Sequence, residues 1–219
     1  MVNKGLTKLV SFRAKARNLV RNGRINKISP QKRRDHNGIL FFGIICTTLF
    51  TLSIQSSHAQ VFKTQKKALQ EVFPNGVSIE RKTLFLTDEQ VNQIQRLAKT
   101  KLESKIVTFY EGEKADSITG YAFFETNIVR TKPETFMVVL DKKARIKFVE
   151  VLAFYEPLDY LPTSNWFALF TDKILSDKLW PKRDIHNITG ATLSVQAITQ
   201  GVRKMLAIYE VAIAKGKLN

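Results

Sequence analysis

The chain has 219 residues, 44% of them hydrophobic, with 35 Lys and Arg against 19 Asp and Glu and a formal net charge of +16. That length holds one ordinary globular domain plus an N-terminal extra and excludes two well-built domains. The charge excludes less than its size suggests, because eleven basic residues and a single acid, Asp35, lie before Gly38. The remainder carries 24 basic against 18 acidic residues, so nucleic-acid binding, which needs a basic surplus on the folded surface, finds no support.

In chain order, the basic leader runs into an apolar stretch over residues 39–54 and then into Ser57-His58-Ala59. A positive segment, an apolar segment and a small-x-small exit make the pattern of a secretion signal. Sixteen apolar-leaning residues fall short of the roughly 20 that span a bilayer, so cleavage is favoured over a retained anchor. Either outcome puts residues 60–219 outside the cytoplasm, in the periplasm, by the positive-inside rule. The single cysteine, Cys46, lies in the apolar stretch. The exported part is therefore without disulfides or cysteine-ligated metals.

Residues 64–73 read as a short helix closed by Pro74-Asn75-Gly76, with a brief extended segment at 77–79. Thr87-Asp88-Glu89-Gln90 is a capping box, and Val91, Ile94, Leu97, Ala98 and Leu102 recur at helical spacing, which predicts a helix over about 88–104. The period then changes to two. Strands are expected at 105–110, 120–129, 135–140 and 146–154, with a hairpin turn at 141–144. An irregular region follows, in which Trp166, Phe167 and Phe170 pack on a short helix. A long helix over 194–214 closes the chain, with Val195, Ile198, Val202, Met205, Leu206 and Tyr209 on its apolar face. The fold class is thus α+β: an antiparallel twisted sheet flanked by helices, with a long C-terminal helix, preceded by a signal or anchor segment at 1–59.

Chemistry concentrates where the last helix begins, in Arg183-Asp184-Ile185-His186-Asn187-Ile188-Thr189-Gly190-Ala191-Thr192-Leu193-Ser194. A helix start offers unpaired amides and a positive dipole end. Gly190 and Ala191 permit close approach of a ligand to the backbone, and Thr189, Thr192 and Ser194 supply hydroxyls. Two readings fit: an anion-binding turn, or a plain helix cap with Ser194 as N-cap. Lys182 and Arg183 are candidates for added charge near a bound phosphate.

The run Thr189-Gly190-Ala191-Thr192, together with Gly120-Tyr121, Thr135-Phe136-Met137-Val138, Val149-Glu150-Val151-Leu152 and Tyr155-Glu156-Pro157, resembles the FMN-binding domain family. That family occurs in the FMN-carrying subunits of sodium-pumping NADH:quinone oxidoreductase and of Rnf-type complexes, in Nos-type membrane regulators, and as single-domain exported proteins. The resemblance spans about residues 60–209. It implies FMN as cofactor and a phosphoester from the flavin phosphate to Thr192, installed by a separate flavin transferase that uses FAD and a divalent metal. It also implies an electron carrier that exchanges electrons with a membrane-bound donor or acceptor and has no catalytic residues or metal of its own. A flavin-dependent reductase of a small substrate and a flavin-containing regulatory module of a membrane redox complex are the alternatives. The implied binding residues are Thr192, Thr189, Gly190, Ala191, Leu193, Ser194, His186, Asp184 and Glu156, the last for tuning the ring. One departure stands out: His186 occupies the position three residues before Thr189 where the transferase pattern has aspartate, and Asp184 lies two residues earlier. The resemblance therefore implies flavin binding more firmly than the covalent bond.

Overall fold

The computed structural model describes residues 60–214; the leader at 1–59 lies outside the described residues. Six strands form one sheet in the order β1-β6-β5-β4-β3-β2, with every neighbouring pair antiparallel. They are β1 (Gln60–Val61), β2 (Ser78–Phe85), β3 (Ile106–Lys114), β4 (Ser117–Ile128), β5 (Pro133–Asp141) and β6 (Ile146–Phe154). The helices are α1 (Gln65–Val72), α2 (Asp88–Ala98), the single turn α3 (Ser164–Phe167) and α4 (Thr192–Ile208), which runs on as a π-helical turn, Tyr209–Ala214. This is the expected α+β class.

Strand alternation sends alternate side chains to the two faces of the sheet. One face carries Phe109, Tyr121, Phe123, Phe136, Val138 and Leu140, and forms the main core with α2, α4 and the 164–185 region. The other carries Ala122, Met137, Val139 and Leu152 under Ala68 and Leu69 of α1 and its C-cap residue Phe73. Gly112 is required here: a Cβ at that position would come within 2.3 Å of the Phe73 ring. β3 and β4 join through Ala115 and Asp116, both at positive φ (48° and 56°), the mirror-image turn whose twist matches a two-residue hairpin.

The β3–β4 hairpin is longer than expected, β3 running on to Lys114 and β4 beginning at Ser117, and three further boundaries differ for reasons the structure shows. β2 is a full eight-residue strand paired along β3, although Ser-Ile-Glu-Arg-Lys-Thr-Leu-Phe is mostly exposed. It is an edge strand, and its charges blunt that edge while hiding the period of two. α2 keeps its capping box, with Thr87 Oγ1 accepting from the Gln90 amide and the Gln90 side chain accepting from the Thr87 amide. It stops at Ala98, not at 104, because Lys99 takes a left-handed conformation (φ 58°) and the Leu97 and Ala98 carbonyls accept from the Arg203 guanidinium. Finally, α4 starts at Thr192 with Ala191 as N-cap, so Ser194 is not the cap; it lies inside the first turn.

Candidate functional site

The start of α4 is set by Gly190, whose φ of 88° is a conformation that side-chain-bearing residues rarely adopt. A Cβ there would meet no atom within 4 Å, so it is the backbone and not crowding that calls for glycine. The Ala191 amide turns back to the Ile188 carbonyl at 3.1 Å, and the Val195 amide bonds the Ala191 carbonyl at 3.0 Å. Ala191 has no side chain with which to cap. The first amides of α4, at Thr192, Leu193 and Ser194, thus point out of the helix without a cap, as the first turn of any helix leaves them.

These residues border a cavity of about 170 Å³ lined by Gly190, Ala191, Thr192, Leu193 and Ser194 together with Arg130 and Tyr160. Arg130 lies in the β4–β5 turn, with its guanidinium 4.9 Å from the centre of the Tyr160 ring, and supplies a fixed positive charge opposite the positive end of the helix. Ser194 is 1% exposed, and its hydroxyl has no hydrogen-bond partner, which a buried hydroxyl rarely lacks. The Thr192 side chain is exposed and makes only a long 3.4 Å bond to the Ile188 carbonyl.

Glu156 acts on the cavity from behind. Its Oε1 accepts from the amides of Thr131 at 2.7 Å and Lys132 at 2.9 Å, and from Thr131 Oγ1 at 3.2 Å. The Thr131 amide above all, with the Lys132 amide and the Thr131 hydroxyl, holds this carboxyl below its ordinary range. The side chain therefore fixes the turn that carries Arg130.

The structure brings together Gly190, Ala191, Thr192, Leu193 and Ser194 and leaves the other expected residues outside the lining. Thr189 is exposed beside it. Asp184 pairs with Lys173 Nζ at 3.2 Å. The His186 side chain is exposed, while its carbonyl accepts from the Trp166 indole at 2.8 Å. Neither Lys182 nor Arg183 borders the cavity; Arg183 reaches the Asp177 carbonyl at 2.6 Å instead. The charge at the site comes from Arg130, which sequence reasoning missed along with Tyr160. Trp166 and Phe170 are core residues at 4% and 0% exposure.

Open amides, a fixed cation, two hydroxyls and a glycine turn make a receptor for an oxyanion. Residues 131–207 match the family model of the FMN-binding domain. The chain thus carries an FMN-binding domain, and FMN is its cofactor. The match opens on Thr131, one residue after Arg130, and ends inside α4, a shorter stretch than the resemblance suggests. No curated protein matches the chain. The residues present fit the phosphate end of FMN: the orphaned Ser194 hydroxyl and the open amides want an acceptor, and the cavity is smaller than the roughly 300 Å³ at which pockets begin to engulf a drug-sized ligand. Among the described residues there is no cluster of His, Cys, Asp and Glu able to hold a metal ion, and no helix is long and apolar enough to cross a membrane.

Proposed function

We propose that this chain is an extracytoplasmic electron-transfer protein whose FMN is joined through its phosphate to Thr192. The observation that carries the reading is the first turn of α4, where an exposed Thr192 hydroxyl stands beside open amides, the unpartnered Ser194 hydroxyl and Arg130. A flavin transferase needs that hydroxyl accessible and the flavin phosphate neutralised next to it; this turn offers both. In the transfer, the Thr192 oxygen forms a bond to the FMN phosphorus of FAD, the pyrophosphate bond breaks, AMP leaves and the hydroxyl proton is lost.

Bound FMN supplies electron transfer, and the chain's own residues hold it. The α4 amides and Arg130 bind the phosphate, Gly190 lets it approach the backbone, and Glu156 keeps the Arg130 turn in place. The reductase alternative would need an acid at the flavin; no carboxylate lines this cavity, and Glu156 is committed to three donors of the 131–132 turn. Attachment makes sense for a protein outside the cytoplasm, where a lost cofactor is not recovered. The basic leader and apolar stretch at 1–54 support that location.

The test is expression of the full chain with and without a flavin transferase, followed by intact-mass analysis and in-gel flavin fluorescence after denaturation. The expected result is a mass gain of one FMN in the presence of the transferase, absent from Thr192→Ala. Flavin that colours the native protein but is lost on denaturation would leave a non-covalent FMN protein and overturn the bond. A colourless protein under both conditions would overturn the reading altogether.

A further inference from the structure

Among the described residues, three buried side-chain polar atoms lack any hydrogen-bond partner: Ser194 Oγ and both carboxyl oxygens of Glu134. Glu134 is 0% exposed. On β5 it stands in register with Asn127 of β4 and Phe154 of β6, on the sheet face that also carries Phe136, Val138 and Leu140 and is covered by α4. The path of α4 over that face is fixed at two points. Asn127 Nδ2 donates to the Ala197 carbonyl at 3.1 Å, and a Cβ on Gly201 would fall 2.5 Å from the Phe136 ring and 3.2 Å from Asn127 Nδ2. Ser194, Ala197 and Gly201 lie on one side of the helix, so this side runs from Phe136 past Glu134 toward the 129–132 turn. Glu134 thus sits under the first turns of α4, behind Ser194 and four residues from Arg130. Glu134 and Ser194 lie toward the same end of the face that α4 covers.

The charged groups facing this corner are otherwise engaged. Glu125 of β4 is bonded to Lys204 of α4, Arg130 stands over Tyr160, and Glu156 is bonded to the 131–132 turn that includes Lys132. None pairs with Glu134. Burial alone pushes its carboxyl up to about 8, so at neutral pH it holds its proton. A buried anion here would have no partner of its own and would act against an anion bound at the start of α4.

We propose that Glu134 is the proton-linked gate of the α4 anion site before attachment: its carboxyl must carry its proton for the phosphate of not yet bonded FMN to bind beside Ser194, and losing that proton releases the unbonded phosphate. The balance is one proton released from Glu134 as one phosphate leaves, with no electron moved. The inference rests on the FMN reading of the cavity and names a residue through which that site is regulated.

The test uses the full chain made without a transferase and titrated with FMN from pH 7 to 9.5, a range in which the phosphate monoester remains a dianion. Riboflavin, which lacks the phosphate, serves as the comparison. The expected result is an FMN affinity that falls at least fivefold between pH 7 and 9.5, against a riboflavin affinity that stays flat and an FMN affinity of Glu134→Gln that also stays flat. By reciprocity of linkage, FMN must raise the midpoint of the Glu134 carboxyl ¹³C resonance, one pH unit for each tenfold change in affinity. That measurement on the wild-type chain decides the matter even where Glu134→Gln fails to fold. Parallel losses of FMN affinity in wild type and variant, or a resonance midpoint unmoved by FMN, overturn the gate while leaving the FMN site intact. Failure of the wild-type chain to bind FMN at pH 7 overturns the site and the gate together.

Discussion

Two buried glutamates show how position, not residue type, sets protonation. Glu156 is 5% exposed and is held as an anion by two amides and a hydroxyl; Glu134, with no donor at all, is held neutral. For Glu134 the consequence for stability is direct. Its carboxyl ionises at about 8 in the fold against an ordinary 4.5, so between those values the unfolded chain has released a proton that the folded chain retains. Stability therefore falls as pH rises from 4.5 to about 8 and levels off above. Glu134→Gln removes that slope, since the amide has the same shape and no charge to lose. Urea unfolding should find the variant close to wild type at pH 4.5 and more stable by about 4 kcal/mol at pH 8. An equal difference at both pH values would show that Glu134 does not titrate across this window. A neutral acid maintained at such a cost beneath a cofactor site is the kind of local conflict that function retains.

At the scale of elements, the decisive tie to α4 is Arg203. Its side chain is 1% exposed and donates to the carbonyls of Ala98 at 3.0 Å, Leu179 at 3.2 Å, Leu97 at 2.6 Å and Ser176, with its guanidinium 5.3 Å from the Trp180 ring centre. The C-terminus of α2 and the 176–179 segment are thereby fastened to the helix whose other end forms the cavity, and the cation lies at the negative end of the α2 dipole. Arg203→Met keeps the bulk and leaves these carbonyls without a donor, so we expect a loss of about 3 kcal/mol in urea unfolding, with faster amide exchange at the end of α2. A neutral result would mean that the four bonds merely offset the cost of burying the charge. This tie also explains what the sequence shows and what it conceals. The capping box at Thr87, the alternation of β5 and β6 and the amphipathic α4 are local patterns and can be read directly, β6 to both of its ends. The end of α2 depends on an arginine 105 residues further on and has no local signal. The same holds for the cavity: the 189–194 run is legible as a helix start, whereas Arg130 reaches it from a turn whose position is set by Glu156, and Tyr160 from a 3-10 turn at Leu158–Tyr160.

For the whole domain, the cavity is assembled from three stretches distant in sequence: the β4–β5 turn, the segment after β6 and the start of α4. They meet only when the sheet and α4 are packed on each other, so a ligand held there binds the folded chain and not the unfolded one, and must stabilise the fold by mass action. The proposed attachment to Thr192 would change the form of that dependence. Thr192→Ala, which keeps the amides, Ser194 and Arg130, should show a melting temperature that climbs with added FMN, with a gain of about 2.7 kcal/mol at one hundred times the dissociation constant. The flavinylated wild-type chain should melt higher than its flavin-free form and show no further rise with added FMN, because its site is filled at every concentration. Thermal scans of the two proteins over a range of FMN concentrations separate the contributions. A Thr192→Ala protein indifferent to FMN would mean that the cavity has no grip on the phosphate without the bond, and that the open amides of α4 serve the transferase reaction and not retention.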